Sequence, residues 1–306
     1  MTMTSKPRIA IVGAGLMGHA LALVFADGGH AVAVTDPFPD VLATVQDRIA
    51  ATLKMLGKDD AAVARVTSRP TLAETVKAAD IVIEAAPEKL PLKQDIFEQL
   101  EQHARPDALL ASNTSVIPIG QIAARVTSKH RVLGTHWWNP PYLVPLVEVI
   151  ETEGTAPETI SVMMALLKSL GKVPVHVKKD VPGFVGNRMQ HALWREAIAL
   201  IDEGVCDAET IDLVVKNSFG RRLAVLGPIE NADQVGLDLT LSIQEYLLPH
   251  LNRATEPTQL LRDMLATGKQ GFKTNQGFKS WTDEEKTALR TRVAEHLALL
   301  NTLLGP

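Results

Sequence analysis

A single cysteine, Cys206, leaves this chain of 306 residues without a disulfide framework and without a thiolate metal site. It contains no run of Lys and Arg, and the net charge of -4 argues against nucleic acid as the principal partner. No apolar stretch is long enough to cross a bilayer. Only a short polar lead, Met1 to Arg8, precedes the first apolar run, with nothing of signal-peptide type in it. These absences predict a soluble, cytoplasmic protein that engages neither membrane nor nucleic acid, and no metal site is expected. What remains, 46% hydrophobic and 22% charged residues, suffices for a sizeable core and for two domains.

Ile9-Ala10-Ile11-Val12 reads as a strand buried on both faces. It runs into Gly13-Ala14-Gly15-Leu16-Met17-Gly18, followed by an apolar helical pattern at Met17, Leu21, Val24 and Phe25 that Gly28-Gly29 stop. A second strand, Ala31 to Thr35, ends at Asp36. In such a unit Gly13 permits a tight turn, Gly15 lets the backbone approach a pyrophosphate, and Gly18 allows close packing of helix on strand. The helix N-terminus offers oriented N–H groups to the phosphates. Asp36 would accept hydrogen bonds from the adenosine ribose and repel a 2′-phosphate, which favours NAD over NADP. A Gly-x-Gly-x-x-Gly alone is weak, but here strand, helix and terminal acid agree.

From Val41 to Leu56 the apolar positions 41, 42, 45, 49, 53 and 56 fit one face of a long helix. Its other face, with Arg48, Lys54 and Lys58, reads as solvated rather than as a contact for nucleotide phosphates. Strands follow at Asp80–Glu84 and Ala108–Ala111, separated by a helix at Leu92–Leu100. After the second of these strands comes Ser112-Asn113-Thr114-Ser115, a polar cluster at the strand end where open parallel sheets bind ligands. Ser115 could serve as a helix cap, as a substrate contact, or as both.

Gly134-Thr135-His136-Trp137-Trp138-Asn139-Pro140-Pro141 reads as a strand delivering His136, then a proline-rich loop. A second apolar strand, Val147 to Ile150, carries Glu148. An imidazole at a strand end, held by a carboxylate from the next strand, is a general base with its orienting partner. A lone histidine in such a loop is more often structural, so its company matters. Beyond Asp180-Val181-Pro182-Gly183, a natural hinge, the pattern turns wholly helical. Helices are expected at 184–204, 208–217, 237–248 and 283–304, with a Gly227-Pro228 turn between the second and third.

These motifs resemble the 3-hydroxyacyl-CoA dehydrogenase superfamily over nearly the whole chain. The resemblance rests on GAGLMG, VIEAAPEKLPLK (82–93), SNTS (112–115), HWWNPP…PLVEVI (136–150) and DVPGFVGNR (180–188), with a fainter match at GKQGFKTNQGF (268–278). It implies an α/β Rossmann-type N-terminal domain with a mainly parallel sheet, residues 1–182. An all-α C-terminal domain, residues 183–306, would bind substrate and form a homodimer. His136 is then the base, Glu148 its partner, and Ser115 and Asn187 the groups that meet the substrate hydroxyl. NAD would lie against Gly13, Gly15, Leu16, Met17, Gly18 and Asp36, with Glu88, Lys93, Asn113 and Asn139 nearby and Asn139 also touching substrate.

Departures qualify the substrate more than the chemistry. Trp137 and Trp138 stand where the acyl-CoA enzymes carry phenylalanines, Asn275 where a glycine is usual, and no tyrosine follows Phe278. The Pro140–Pro145 loop is more similar to relatives acting on free hydroxy acids, of the L-gulonate and carnitine dehydrogenase type. Arg222, five positions before Gly227, suits bidentate carboxylate recognition, which a thioester does not require. The expected activity is hydride transfer between NAD and a small 3-hydroxy carboxylate. The alternatives are a short-chain L-3-hydroxyacyl-CoA substrate, or a non-catalytic NAD-binding protein of the crystallin kind.

Overall fold

The computed structural model describes residues 6–305; Pro306 and the first five positions of the polar lead lie outside the described residues. The strands are β1 Ile9–Val12, β2 Val32–Thr35, β3 Val66–Ser68, β4 Ile81–Glu84, β5 Leu109–Ser112, β6 Val132–Trp137, β7 Leu146–Ile150 and β8 Val173–Val177. They form one sheet in the order β3-β2-β1-β4-β5-β6-β7-β8, parallel except where β7 runs against β6. Helices α1 Leu16–Asp27, α2 Pro39–Ala43, α3 Val45–Met55, α4 Leu72–Val76, α5 Leu90–His103, α6 Ile119–Ile122 and α7 Pro157–Ser169 accompany the sheet.

Both sheet faces are covered, which is why the strands read as unbroken apolar runs. Ile9 and Ile11 enter a core with Leu21, Phe25, Ile49 and Leu167, while the alternate Ala10 and Val12 enter another with Phe97, Leu100 and Ile122. Gly18 fits this packing because a Cβ there would lie 1.7 Å from the Gly13 carbonyl oxygen. Gly13 itself takes φ +102°, and a Cβ on it would meet Ala85 at 2.8 Å. The order places the topological switch between β1 and β4, where open α/β sheets bind ligands beyond the carboxyl ends of their strands.

Two expectations need correction. The helix expected over 41–56 is two helices that break at Thr44, whose hydroxyl donates back to the Val41 carbonyl at 2.9 Å. Arg48 is not simply solvated. Its guanidinium donates to the carbonyls of Ala14 at 2.6 Å and Val41 at 3.1 Å, and so braces the glycine loop from behind.

A second compact unit, Met189–Val293, is helical, and the chain from Ala294 onward belongs again to the first. Its elements are most of α8 Gly186–Asp202, then α9 Ala208–Asn217, α10 Pro228–Val235, α11 Leu237–Leu247, α12 Gln259–Ala266 and the start of α13 Asp283–Leu304. α8 begins two residues later than expected because Gly183 and Phe184 both take positive φ, +74° and +50°. Asn275 takes φ +61°, and its side-chain oxygen accepts from Lys286 at 2.6 Å. Asparagine is among the few residues besides glycine that tolerate this conformation, so the left-handed backbone at 275 does not require a glycine. No described helix is long and apolar enough to cross a membrane.

β6 is anchored at its entry by Glu101 of α5. That carboxylate accepts from Thr127 N–H at 3.0 Å, Ser128 N–H at 2.7 Å and both hydroxyls, at 2.8 and 2.6 Å. Burial opposes its charge, but the Ser128 and Thr127 donors outweigh that and pull its pKa from 4.5 to about 2. With the folded value depressed, the stabilisation is complete above pH 4.5 and disappears as pH falls towards 2. Glu101→Gln is therefore expected to cost about 1 kcal/mol at neutral pH, after allowing for solvent screening of a partly exposed group. Urea midpoints at pH 7 and pH 3 check this: the gap between wild type and variant should narrow in acid, and a widening gap refutes it.

Candidate active site

His136 and Glu148 are direct cross-strand partners in the antiparallel β6–β7 pair. Residues opposite each other in such a pair project from the same face, so register alone brings the two side chains together. His136 Nδ1 lies 2.6 Å from Glu148 Oε2, and both residues are buried, at 3% and 1% exposure. The other carboxylate oxygen, Oε1, accepts from the N–H groups of Val185 at 2.9 Å and Gly186 at 3.0 Å. These donors stand at the start of α8, aimed at the carboxylate by the left-handed Gly183 and Phe184, and a helix N-terminus favours negative charge. Burial alone would raise the Glu148 carboxyl. The bonds from His136, Gly186 and Val185 outweigh it and hold the group below the ordinary carboxylate range. An ionised Glu148 fixes a proton on Nδ1 and leaves the lone pair on Nε2.

Aromatic rings flank the imidazole. Trp138 lies with its centroid 5.2 Å from that of His136, and Phe184 at 5.7 Å. Gly186 makes room for Trp138, since a Cβ there would fall 2.5 Å from the indole.

Ser115 follows β5 on an exposed turn, and its carbonyl accepts from Asn187 Nδ2 at 2.9 Å, so these two residues meet. The capping use weighed for Ser115 is not taken. The first amides of α6, Ile119 and Gly120, donate instead to Asp180 at 3.0 and 2.7 Å. Asn113 is half-buried, and its Oδ1 accepts from Trp137 N–H at 3.1 Å, tying the β5 end to β6. Asn139 is exposed beyond β6. Arg222 is an exposed residue of the helical unit, in the turn that follows α9.

Below the Ser115 turn lies a charged cluster that sequence reading only half saw. Lys93 is 1% exposed, with Nζ 2.7 Å from Glu84, 3.1 Å from the Ala86 carbonyl and 3.5 Å from Glu88. Glu84, at 0% exposure, also accepts from Ser112 Oγ at 2.6 Å and from Ala86 N–H at 2.6 Å. Glu88 accepts from the Thr114 hydroxyl and from the amides of Ser115 and Val116, both at 3.1 Å. Burial works against the Glu88 charge, but Thr114, Lys93 and the two amides outweigh it and lower its pKa. Glu84 was missed, although an acid ending an apolar strand nine residues before a lysine is a readable sign of a buried ion pair.

The nucleotide end fits an NAD cofactor. A Cβ on Gly15, the N-cap of α1, would meet nothing within 4 Å, so the loop faces open space. Leu16 and Met17 open the helix there, with Leu16 68% exposed. Asp36 at the end of β2 is turned to this loop, accepting from Ala14 N–H at 2.7 Å and Phe38 N–H at 2.9 Å.

Residues 8–181 match the family described as 3-hydroxyacyl-CoA dehydrogenase, NAD binding domain, and residues 183–281 its C-terminal domain. The chain is 35% identical to 5-formyl-3-hydroxy-2-methylpyridine 4-carboxylate 5-dehydrogenase of Mesorhizobium japonicum, over 97% of each chain. It is 37% identical to a probable 3-hydroxybutyryl-CoA dehydrogenase of Bacillus subtilis, over 92% of this chain and 99% of that one. Among solved structures, a 5-formyl-3-hydroxy-2-methylpyridine 4-carboxylic acid 5-dehydrogenase, described as an NAD+ dependent dismutase, superimposes with a TM-score of 0.91 at 35% identity, covering 98% of this chain and 99% of that one. With a doubly wound sheet, a glycine loop ending in Asp36 and both family domains in order, the chain belongs to the 3-hydroxyacyl-CoA dehydrogenase family of NAD-dependent oxidoreductases.

Proposed function

We propose that the protein transfers a hydride between NAD and the hydroxyl-bearing carbon of a small free hydroxy carboxylate, with His136 as general base and Glu148 as its partner. The observation that carries this reading is the buried pair, in which Glu148 is fixed on one side by His136 and on the other by two backbone amides. In the oxidation direction the substrate hydroxyl gives its proton to His136 Nε2, and Glu148 stabilises the imidazolium that forms. The Ser115 hydroxyl and Asn187 Nδ2, which meet through the Ser115 carbonyl, would donate to the oxygen as it becomes a carbonyl. Bound NAD supplies the hydride acceptor. Gly13 to Gly18 would hold its phosphates and Asp36 its ribose, with Asn113 also binding the cofactor and Asn139 helping to place the nicotinamide. Glu88 acts from beneath the Ser115 turn, and Lys93 acts through Glu88.

A free acid is favoured by the match, over nearly all of both chains, to an enzyme named for a carboxylate, and Arg222, whose guanidinium suits such a group, is its proposed partner. The acyl-CoA alternative draws on the family itself and on a surface hollow of about 510 Å³ lined by Lys54, Lys58 and neighbours, where phosphates could sit. Lys58 in that hollow is already paired with Asp27 at 2.6 Å.

The helical unit supports a homodimer. Ala199 is the one buried residue among those described from Met189 to Val293, while Trp194, Ile229, Leu237 and Leu241 are 48 to 74% exposed. A unit of this size needs a buried core, and a second copy supplies the missing apolar surface.

Free 3-hydroxy acids and short 3-hydroxyacyl-CoA thioesters, assayed with NAD at equal concentration, test the substrate class. His136→Ala should slow turnover about a hundredfold or more with NADH binding retained, and Glu148→Gln should also slow it. Arg222→Met should lower efficiency on the free acid about tenfold, as for one charged hydrogen bond. Near-normal turnover by His136→Ala sinks the dyad, and preference for thioesters moves the protein to the acyl-CoA alternative.

For the cofactor, NAD should be preferred over NADP by roughly a hundredfold, because Asp36 repels a 2′-phosphate, and Asp36→Ala should narrow that gap. Equal efficiency with both in the unmodified enzyme contradicts it. For assembly, sedimentation at micromolar concentration should give a dimer, and Leu241→Glu should shift it towards monomer. A stable wild-type monomer overturns the homodimer.

A further inference from the structure

The loop between His136 and Glu148 has an unusual hydrogen-bonding problem. Pro140, Pro141 and Pro145 have no N–H to donate, so the six residues Pro140–Pro145 carry more carbonyl acceptors than they can satisfy among themselves. Only the Pro140 carbonyl is met from within, by Leu143 N–H and Val144 N–H, both at 3.0 Å. The rest of the supply comes from distant parts of the chain. Val173 N–H, at the start of β8, donates to the Pro145 carbonyl at 2.9 Å. Lys172 Nζ reaches back from the same place to the carbonyls of Pro141 and, at 3.2 Å, Val144. Asn301 Nδ2, on the last turn of α13, donates to the Leu143 carbonyl at 2.7 Å. Five of the six carbonyls are thereby engaged, three of them by two side chains far away in sequence.

We propose that Lys172 and Asn301 are positioning residues that clamp the Pro140–Pro145 loop and so fix the wall it presents to the substrate beside His136. Neither touches the proposed catalytic groups. Their effect passes through a loop joined directly to β6 on one side and β7 on the other, the two strands that carry the dyad. Lys172 is well suited to this use. Burial, and the charge of Lys58, lower its pKa to about 8, its ammonium lies 5.9 Å from the centre of the Trp137 ring, and that ammonium donates to two carbonyls of the loop. An ammonium taken from water to serve two carbonyls is a strong and costly device, which a loop without structural demands would not need. Asn301 offers the complementary neutral donor, and it lies in the part of α13 that belongs to the first unit.

The functional half of this inference rests on the proposed function, with the 140–145 loop taken as a wall of the substrate site; the clamp itself does not. The experiment separates them. Lys172→Met, Lys172→Arg and Asn301→Leu are made in the full-length enzyme, with melting temperature recorded for each. Amide hydrogen exchange at Tyr142, Leu143 and Val144, resolved by mass spectrometry, should quicken at least fivefold in Lys172→Met and Asn301→Leu while β6 and β7 keep wild-type protection. KM for the hydroxy acid found with the substrate panel should rise about tenfold in both, with kcat and the NADH dissociation constant within twofold of wild type. Lys172→Arg, which keeps a charged donor, should restore much of the KM.

Unchanged loop exchange in both variants overturns the clamp. Faster exchange with an unmoved KM, in an enzyme whose turnover depends on His136, overturns the positioning role. Parallel losses in KM, kcat and NADH affinity with a lowered melting temperature would mark both residues as merely structural and equally reject it. A wild-type enzyme whose turnover survives His136→Ala rejects the proposed function instead, and the exchange data still decide the clamp.

Discussion

Everything in the candidate site depends on a carboxylate buried in a doubly wound sheet remaining charged. Removing an ion from water costs several kcal/mol unless its lone pairs are met. Glu148 meets that condition from two sides: the imidazole of His136 on Oε2, and the amides of Val185 and Gly186 on Oε1. The second side explains a backbone that otherwise looks wasteful. Phe184 holds a positive φ, which a residue with a bulky side chain adopts rarely and at a cost. That conformation turns two successive N–H groups towards the carboxylate and at the same time packs the Phe184 ring against His136. Strain, burial and charge are settled in one local arrangement.

The Glu84–Lys93–Glu88 cluster repeats the principle one strand pair away. Lys93 is fully buried between two carboxylates, and each carboxylate also accepts from the chain around Ser112 to Val116. Removing one member of such a group leaves a buried charge without a partner, so the three constrain one another. The turn that presents Ser115 and receives Asn187 is therefore set by ionic contacts beneath it, not by loop composition. The family resemblance implies that Glu88 and Lys93 lie near the cofactor, which remains a proposal. The geometry adds that Lys93 can influence anything above the turn only through its neighbours.

Much of this architecture was readable in the chain, and the part that was not has a physical reason. Strands buried on both faces announce themselves as apolar runs, and β1, β2, β4, β5, β6 and β7 were legible in that way. β3 is three residues long with two of them exposed, and β8 contains Pro174 and exposes Val173 and Val175, so neither gives a run or a clean alternation. The pairing of His136 with Glu148 followed from two strands and a stiff loop, since antiparallel register needs only the right number of residues between them. Arg48 misled because helix periodicity reports which face is apolar and not where a long side chain ends. Its guanidinium leaves the polar face to reach carbonyls of the glycine loop. Lys172 and Asn301 were invisible for a related reason, because each acts on partners that only the folded chain brings near.

The tryptophan at 138 and the glycine at 186 belong together. A tryptophan at 138 carries a larger face than phenylalanine and lies where a Cβ on residue 186 would otherwise go, so Trp138 requires a glycine at 186. That glycine in turn leaves its amide free to approach Glu148 closely at the helix start. With Trp138 on one side and Phe184 on another, the imidazole sits in an apolar surround in which its bond to Glu148 is poorly screened by water. The same surround makes an unpaired imidazolium more costly, so the carboxylate matters more here than it would in an open cleft. Enlarging the aromatic wall and holding the carboxylate with backbone donors are thus coupled requirements. The sequence meets both within the segments 136–148 and 184–187.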